Sequence, residues 1–154
     1  MQSKAVEKNV AELNEKIAQL FSWDATARWA EEMCAEQDES LKARVNVGVQ
    51  SGQLRGVIIH LDVRDMADAV PIRRAVRQLG YGKPTVSDYA EIQRRSWCYE
   101  KEEDAAAPFI HVCAHLPWDE GAHCEYVKVG TKEQPVYELR CGGKPVPKNG
   151  NGDA

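Results

Sequence analysis

The sequence predicts an α+β protein: an N-terminal helical hairpin followed by an antiparallel sheet of about five to six strands that packs against one helix. Three observations support this prediction. The first 41 residues have helical periodicity, most of the chain from residue 43 alternates with a period of two, and one helical stretch interrupts that alternation near residue 70. A chain of 154 residues is long enough for one domain with a hydrophobic core.

The first helix carries a narrow apolar stripe, whose members are spaced 4, 3, 4 and 3 positions apart in a heptad pattern. They are Val6, Val10, Leu13, Ile17 and Leu20. Two interpretations stay open: the helix lies on its own domain, or it pairs with another copy of the chain. The second interpretation predicts a homo-oligomer. Ser22 or Asp24 can cap a second helix, so residues 1–41 form the predicted helical segment.

Alternating apolar and polar residues predict a β-hairpin over residues 45–63, with the turn SGQLRG between its strands. A helix follows, capped by Asp65 or Asp68, with Pro71 in its first turn and Gly80 after its end. The residues expected to face the sheet are Ala69, Ile72, Val76 and Leu79. The residues expected on its exposed side are Arg73, Arg74 and Arg77.

Four more strands are predicted after this helix: VSDYAEIQRRSWCYE, PFIHVCAHL, CEYVKVG and PVYELRC. The links between them are short, and parallel neighbours need a crossover of about a dozen residues or more, so consecutive strands should pair antiparallel. Residues 42–141 then form the α+β domain. Residues 142–154 are rich in glycine, proline and polar residues and form a predicted flexible tail.

The segment HVCAHLPWDEGAHC at residues 111–124 holds three of the four histidines and two of the five cysteines. As a strand, HVCAHL places His111, Cys113 and His115 on one face while the intervening residues fill the core. One alternative is a zinc-binding protein or metal-dependent hydrolase, with ligands drawn from His111, Cys113, His115, His123 and Cys124. The spacing matches none of the usual zinc signatures, so we predict neither a metal nor another cofactor. The five cysteines form no CxxC pair and are predicted to be free thiols.

Arginines next to aromatic residues suggest a binding surface, because this combination holds phosphates and is favoured at protein interfaces. In a strand, the two consecutive arginines of RRSW point to opposite faces. The one that points inward needs a hydrogen-bonding or ionic partner. The predicted binding residues are Arg94, Arg95, Trp97, His111, His115 and Trp118. The chain has neither a G-x-S-x-G elbow nor a glycine-rich phosphate loop, so no catalytic residue is predicted.

The net charge and the N-terminal residues limit the partners that the sequence predicts. A net charge of −4 argues against nucleic-acid binding. The N-terminal residues have no apolar stretch of signal-peptide type, and the longest aliphatic run, VII at residues 57–59, is too short to span a bilayer. We therefore expect a cytoplasmic protein that does not engage a membrane.

The predicted final hairpin, YVKVGTKEQPVYELRC at residues 126–141, resembles the C-terminal part of small uncharacterised proteins encoded by tailed phages and prophages. The resemblance implies an accessory or counter-defence protein that acts in the bacterial cytoplasm. Such small proteins commonly bind a host component or a signalling nucleotide. Together with the heptad stripe, the arginines beside aromatic residues and the missing catalytic motifs, this predicts a non-catalytic binding protein that engages a host protein or sequesters a small phosphorylated or nucleotide ligand.

Overall fold

A computed structural model of the protein describes residues 2–52, 55–117, 124–131, 135–142 and 144–145. The helices are α1 (Lys4–Ser22), α2 (Asp24–Ala35), α3 (Glu39–Lys42) and α4 (Val70–Gln78), with short 3₁₀ helices at Met66–Ala69 and Ala90–Ile92. The strands are β1 (Val45–Gln50), β2 (Gly56–Asp62), β3 (Thr85–Tyr89), β4 (Arg94–Tyr99), β5 (Ile110–His115), β6 (Cys124–Thr131), β7 (Pro135–Cys141) and β8 (Lys144–Pro145). The α+β class is confirmed.

The two N-terminal helices are present as predicted, but their burial differs. Ser3 caps α1 by accepting a hydrogen bond from the backbone of Val6, and none of the residues of α1, which the structure describes throughout, is buried. In contrast, α2 buries Ala30, Met33 and Cys34 against the main core. The second helix therefore belongs to the globular part of the protein, whereas the first lies on its surface.

The main sheet has five strands in the order β1-β2-β5-β4-β3. It is a mixed sheet: β2 and β5 are parallel, and the other neighbours are antiparallel. The predicted antiparallel pairing therefore does not extend to this central pair. The reason is that the prediction considers only strands adjacent in the chain, whereas α4, β3 and β4 intervene between β2 and β5 and supply the crossover that parallel pairing needs.

One predicted strand, residues 86–100, is interrupted. A 3₁₀ helix at Ala90–Ile92 and Gln93, which has φ 50° and ψ 44°, separate β3 from β4. This left-handed residue reverses the chain so that β3 and β4 pair antiparallel. A second special position is Gly56 at the start of β2, where φ is +124° and an added Cβ would overlap the backbone oxygen of Phe109. Only glycine lets these two segments approach so closely.

The hydrophobic core lies between the sheet and two helices, α2 and α4. As predicted, α4 has proline in its first turn and buries Ile72 and Val76. The prediction that Arg73 is exposed is wrong: the residue is 5% exposed. Its Nε donates a hydrogen bond of 2.9 Å to the Tyr99 hydroxyl, and its guanidinium lies 4.4 Å from the centre of the Trp97 ring. Helical periodicity alone does not show that an aromatic pair on β4 accepts this arginine.

A second sheet, in the order β6-β7-β8, contains the predicted final hairpin as an antiparallel pair. Leu139 of β7 and Ala90 form a small buried cluster with Leu116 and Cys141 packed against it. Most of the predicted tail, residues 142–154, lies outside the described residues. Across the described part of the chain, every helix is too short or too polar to cross a membrane.

Candidate binding site on the histidine face

The main sheet has one face covered by helices and one face rich in histidine, which we call the histidine face. The register places His60 of β2 beside Cys113 of β5, and His115 of β5 beside Arg94 of β4. Because side chains alternate along each strand, these residues share one side of the sheet. The histidine face consists of Ile58, His60, Asp62, Arg94, Ser96, Cys98, His111, Cys113 and His115.

The opposite side of β5 fills the core as the sequence predicts. Val112 and Ala114 have no exposed surface and belong to the main hydrophobic cluster. The predicted separation of His111, Cys113 and His115 from the core residues is therefore confirmed by the fold. The three are not equally accessible, however, and the two ends of the histidine face differ.

The end near the start of β5 is closed. His111 is 7% exposed, and its Nε2 donates a hydrogen bond of 3.1 Å to the backbone carbonyl of Arg55. Burial lowers the pKa of His111, and this hydrogen bond opposes the shift. Cys113 is fully buried, with the Ser96 hydroxyl 3.4 Å from its sulfur. These side chains are occupied by internal contacts and offer little surface to a ligand.

The other end of the histidine face opens into a cleft of about 430 Å³. The rings of His60 and His115 lie 5.8 Å apart, centre to centre, at an angle of 30°. Both are partly exposed. The cleft is lined by these histidines together with Ala43, Arg44, Val45, Asn46, Asp62, Ile92 and Leu116. A volume of this size is within the range of about 300 to 1,000 Å³ that is typical of small-molecule sites.

The strand topology creates the cleft. His60 is near the end of β2 and His115 is the last residue of β5, so the parallel pair brings their carboxyl ends to the same edge of the sheet. This is where open sheets with parallel strands commonly bind ligands. Arg44 closes one side: its Nη1 donates to the Asp62 carbonyl at 2.8 Å and to the Asp68 carboxylate at 3.0 Å. The charge of Arg44 is thus largely balanced by Asp68.

Arg94 lies beside the cleft, opposite His115 in register. Its guanidinium lies 4.4 Å from the centre of the Tyr89 ring, a contact that fixes the orientation of the side chain. Its Nε is shielded from solvent and has no hydrogen-bond partner among the residues that the structure describes. A shielded guanidinium N–H without a partner is energetically unfavourable.

Burial lowers the pKa of both cleft histidines. The positive charge of Arg94 lowers both pKa values further, His60 also lowers the pKa of His115, and the carboxylate of Asp62 acts in the opposite direction. The lowered pKa values favour the neutral form of both imidazoles near pH 7. In this state each ring offers one N–H donor and one acceptor nitrogen.

The structure brings only some of the predicted binding residues together. His115 lines the cleft, Arg94 lies beside the cleft opposite His115 in register, and His111 lies at the closed end of the same face. Arg95 and Trp97 lie on the helix-covered face, where Trp97 is 2% exposed. The sixth residue, Trp118, lies outside the described residues.

Sequence reasoning did not select His60, although the alternation of residues 57–63 places it on the polar side of its strand. The missing information was the partner of β2. His60 on β2 approaches His115 on β5 because the two strands are neighbours and parallel. The local sequence of neither strand indicates this pairing.

No three histidine, cysteine, aspartate or glutamate side chains within the described ranges are grouped closely enough to hold a metal ion. The zinc alternative also invoked His123, which lies outside those ranges, and the side chain of Cys124, which is likewise not described. The thiol prediction is confirmed for Cys34, Cys98 and Cys113, and it is wrong for Cys141, which is disulfide-bonded.

No family model, curated protein or solved structure matches this chain.

Proposed function

We propose that the protein is a non-catalytic binding protein that self-associates through α1 and binds its ligand on the histidine face. The observation that carries the self-association is the exposed heptad stripe of α1. Its members Val6, Val10, Leu13 and Ile17 are 44 to 57% exposed, and Phe21 at the end of the helix is 75% exposed. Soluble domains rarely leave such a continuous row of large apolar side chains in water.

A second copy of the same helix is the partner that this stripe fits best. Alternating spacings of 4 and 3 keep the apolar side chains on one narrow seam, which is the pattern that two paired helices bury. A helix of this length is also only marginally stable when it stands alone in water. Pairing with a second copy of α1 would remove the stripe from water and stabilise the helix at the same time.

The C-terminal end of the stripe continues onto the globular part of the protein. Ile17, Leu20 and Phe21 border a largely apolar groove with Ala27 of α2 and Val49 of β1. Val49 is itself 39% exposed. A paired helix that extends along α1 would therefore also cover the edge of the main sheet, so the two copies would be held in a defined relative position.

The mass of the protein in solution tests self-association. We expect the unmodified chain to sediment as an oligomer at about 50 μM, and Leu13→Glu/Ile17→Glu to sediment as a monomer, because two charges would interrupt the seam. The matched control is Ala11→Glu/Ala18→Glu, which adds the same charges on another side of the helix. If the unmodified chain is monomeric, or if both double variants dissociate equally, self-association through the stripe is wrong.

The biological setting that we propose is that of a phage or prophage accessory protein in the bacterial cytoplasm. The resemblance of the final hairpin supports it. The binding partner in this setting is a host protein or a small phosphorylated ligand. The cleft on the histidine face favours the small ligand, because it is concave, is of small-molecule size and combines neutral imidazoles with a guanidinium.

A first experiment on ligand binding needs no assumption about identity. The protein, produced in bacteria and purified without a histidine tag, is measured intact by native mass spectrometry and again after denaturation. A small mass that is present in the native protein and released on denaturation supports the proposed binding role. A native mass equal to the chain mass, together with no thermal stabilisation in a screen of phosphorylated metabolites, contradicts it.

A further inference from the structure

The geometry points to the cleft between β2 and β5 as a site for a small organic phosphate, whose phosphoryl group is held by Arg94, His60 and His115. This inference deepens the proposed binding role by naming the chemistry of the ligand. It is independent of self-association through α1. It rests on three structural features: a partly exposed arginine beside the cleft that is stacked on Tyr89, two closely spaced imidazoles, and a cleft larger than a phosphate ion needs.

Arg94 supplies the charge. Its planar guanidinium presents several N–H groups in a fixed fork, which matches the oxygens of a phosphoryl group. Stacking on Tyr89 holds the fork in place before a ligand arrives, so less conformational entropy is lost on binding. Arg95 cannot play this role, because it is fully buried on the other face in an ion pair with Asp88.

The two histidines supply additional donors from a second direction. His60 and His115 stand on neighbouring strands with their rings 5.8 Å apart, so N–H groups from both can reach different oxygens of one tetrahedral group. A carboxylate has only two oxygens, both in one plane and both engaged by a bidentate guanidinium, whereas a phosphoryl group offers a third oxygen outside that plane to the imidazoles. This arrangement of donors therefore favours a phosphoryl group over a carboxylate.

The charges around the cleft indicate whether its ligand is an anion or a cation. A divalent cation would be repelled by Arg94, which acts on both histidines. The carboxylate of Asp62 acts on the same histidines and opposes an anion. Removing that carboxylate should thus strengthen the binding of an anion and weaken the binding of a cation. This opposite response makes Asp62→Asn a diagnostic variant.

The organic part of the ligand has an apolar surface to contact. Ile92 is 51% exposed and lines the cleft together with Leu116. A bare phosphate ion would not cover these side chains. A phosphomonoester could place its phosphoryl group at Arg94 and its organic group against Ile92, which would remove apolar surface from water. We therefore expect an organic phosphate to bind more tightly than inorganic phosphate.

The test is a titration followed through the imidazole Cε1–H resonances of the labelled protein at pH 7. The probes are inorganic phosphate, adenosine monophosphate as a phosphomonoester, and adenosine as its counterpart without a phosphoryl group. We expect saturable shifts for His60 and His115 with both phosphates, with the tighter dissociation constant for adenosine monophosphate. The His111 resonance should move little, because His111 lies at the closed end of the face.

Three variants assign the binding to the cleft. Arg94→Gln should weaken the binding of adenosine monophosphate by about tenfold or more, since it removes a charge-assisted hydrogen bond. Arg74→Gln is the matched control: it removes the same charge from the exposed side of α4 and should leave the dissociation constant unchanged. Asp62→Asn should tighten binding by about threefold, because it removes a nearby like charge.

Each contrary result overturns a defined part of the inference. Weaker binding of adenosine monophosphate in Asp62→Asn would contradict an anion site next to this carboxylate, and equal effects of Arg94→Gln and Arg74→Gln would mean non-specific attraction. Adenosine binding as tightly as its monophosphate would exclude phosphoryl recognition, and inorganic phosphate binding as tightly as the monophosphate would exclude the organic contact. Repeating the titration with the monomeric Leu13→Glu/Ile17→Glu variant separates this site from self-association: unchanged binding there is expected even if the proposed assembly fails.

Discussion

Arg94 and Arg95 are adjacent in β4 and chemically identical, yet they lie in opposite environments. Arg95 points to the helix-covered face, has no exposed surface, and its Nε lies 2.6 Å from a carboxylate oxygen of Asp88. Arg94 points to the histidine face, is partly exposed and stacks on Tyr89. The alternation of a strand thus places one arginine in a buried ion pair and the other on the histidine face, where we propose that it contacts a ligand.

The largest expected difference is between the effects that substituting these two arginines has on the free energy of unfolding. Arg95→Leu leaves the carboxylate of Asp88 buried without its ion-pair partner, so we expect the free energy of unfolding to fall by about 3 to 5 kcal/mol. Arg94→Leu, on the partly exposed side, should change it by less than about 1 kcal/mol. Urea unfolding followed by circular dichroism measures both.

The double variant Arg95→Leu/Asp88→Leu sharpens this comparison. Both charges are then absent, so a large part of the lost stability should return. Equal stability of the two single variants would show that the buried pair contributes no more than a surface arginine. A double variant less stable than Arg95→Leu would show that Asp88 has a role beyond this pair.

The next comparison concerns Ile59 and His60, which are neighbours on β2 and face opposite sides. Ile59 is fully buried in the main core, so Ile59→Ala should lower the free energy of unfolding by about 3 kcal/mol through lost burial and the cavity that remains. His60→Ala opens only onto the cleft and should cost less than about 1 kcal/mol. The same urea experiment tests this. Similar losses in both variants would mean that the histidine face is packed as tightly as the core.

These comparisons show which features could be predicted from the sequence. The strand of His111, Cys113 and His115, the proline of α4 and the stripe of α1 are local patterns, so periodicity predicted them. The cap prediction was wrong for α4 itself: Asp65 caps the preceding 3₁₀ helix by accepting a hydrogen bond from the backbone of Ala67, and α4 begins without a side-chain cap. Strand alternation also predicted that one arginine in RRSW points inward and needs a partner. That arginine is Arg95, and it forms an ion pair with Asp88.

The candidate site could not be predicted in the same way. The cleft depends on the parallel pairing of β2 with β5, whose paired residues are more than fifty positions apart in the chain. Neither strand carries a local signal for that pairing. The burial of Arg73 also depends on a distant partner, the hydroxyl of Tyr99 on β4. Long-range pairing decides which polar residues meet, and a single sequence does not display it.

Acid should destabilise the protein through the histidine face. The folded-state pKa values of His60, His111 and His115 are all lowered from 6.5, chiefly by burial. The unfolded chain therefore binds more protons than the folded chain once the pH falls below about 6.5. The stabilising contribution of the neutral histidines is complete above that pH and is lost as the pH falls through their lower folded-state values.

Urea midpoints at pH 7.5, 6.5, 5.5 and 5.0 measure this loss. We expect a small decrease in the midpoint between pH 7.5 and 6.5, where the unfolded histidines begin to bind protons, and a steeper decline below pH 6.5. The variant His111→Asn removes the most buried of the three histidines and should show a shallower decline. Burial opposes the lowering of the Asp68 pKa, but backbone hydrogen bonds and Arg44 outweigh it, so the stability that Asp68 contributes is lost only at still lower pH, below its ordinary value of 3.8. A midpoint that rises between pH 6.5 and 5.0 would contradict the sign of the histidine shifts.

The smallest expected effect is a difference in alkylation rate between the free thiols on the two faces of the main sheet. Cys34 lies in the helix-covered core, where burial raises its pKa to about 11, and Cys113 is fully buried. Cys98, on the histidine face, is partly exposed, although burial and the charge of Glu100 raise its pKa as well. Because the thiolate is the reactive form and must be reached by the reagent, all three should react slowly and Cys98 should react first.

A pulse of iodoacetamide at pH 8, followed by peptide mass mapping, gives the order in which the three thiols react. Alkylation of Cys34 before Cys98 would show that the helical side of the sheet opens more readily than the histidine face, reversing the distinction between the two faces.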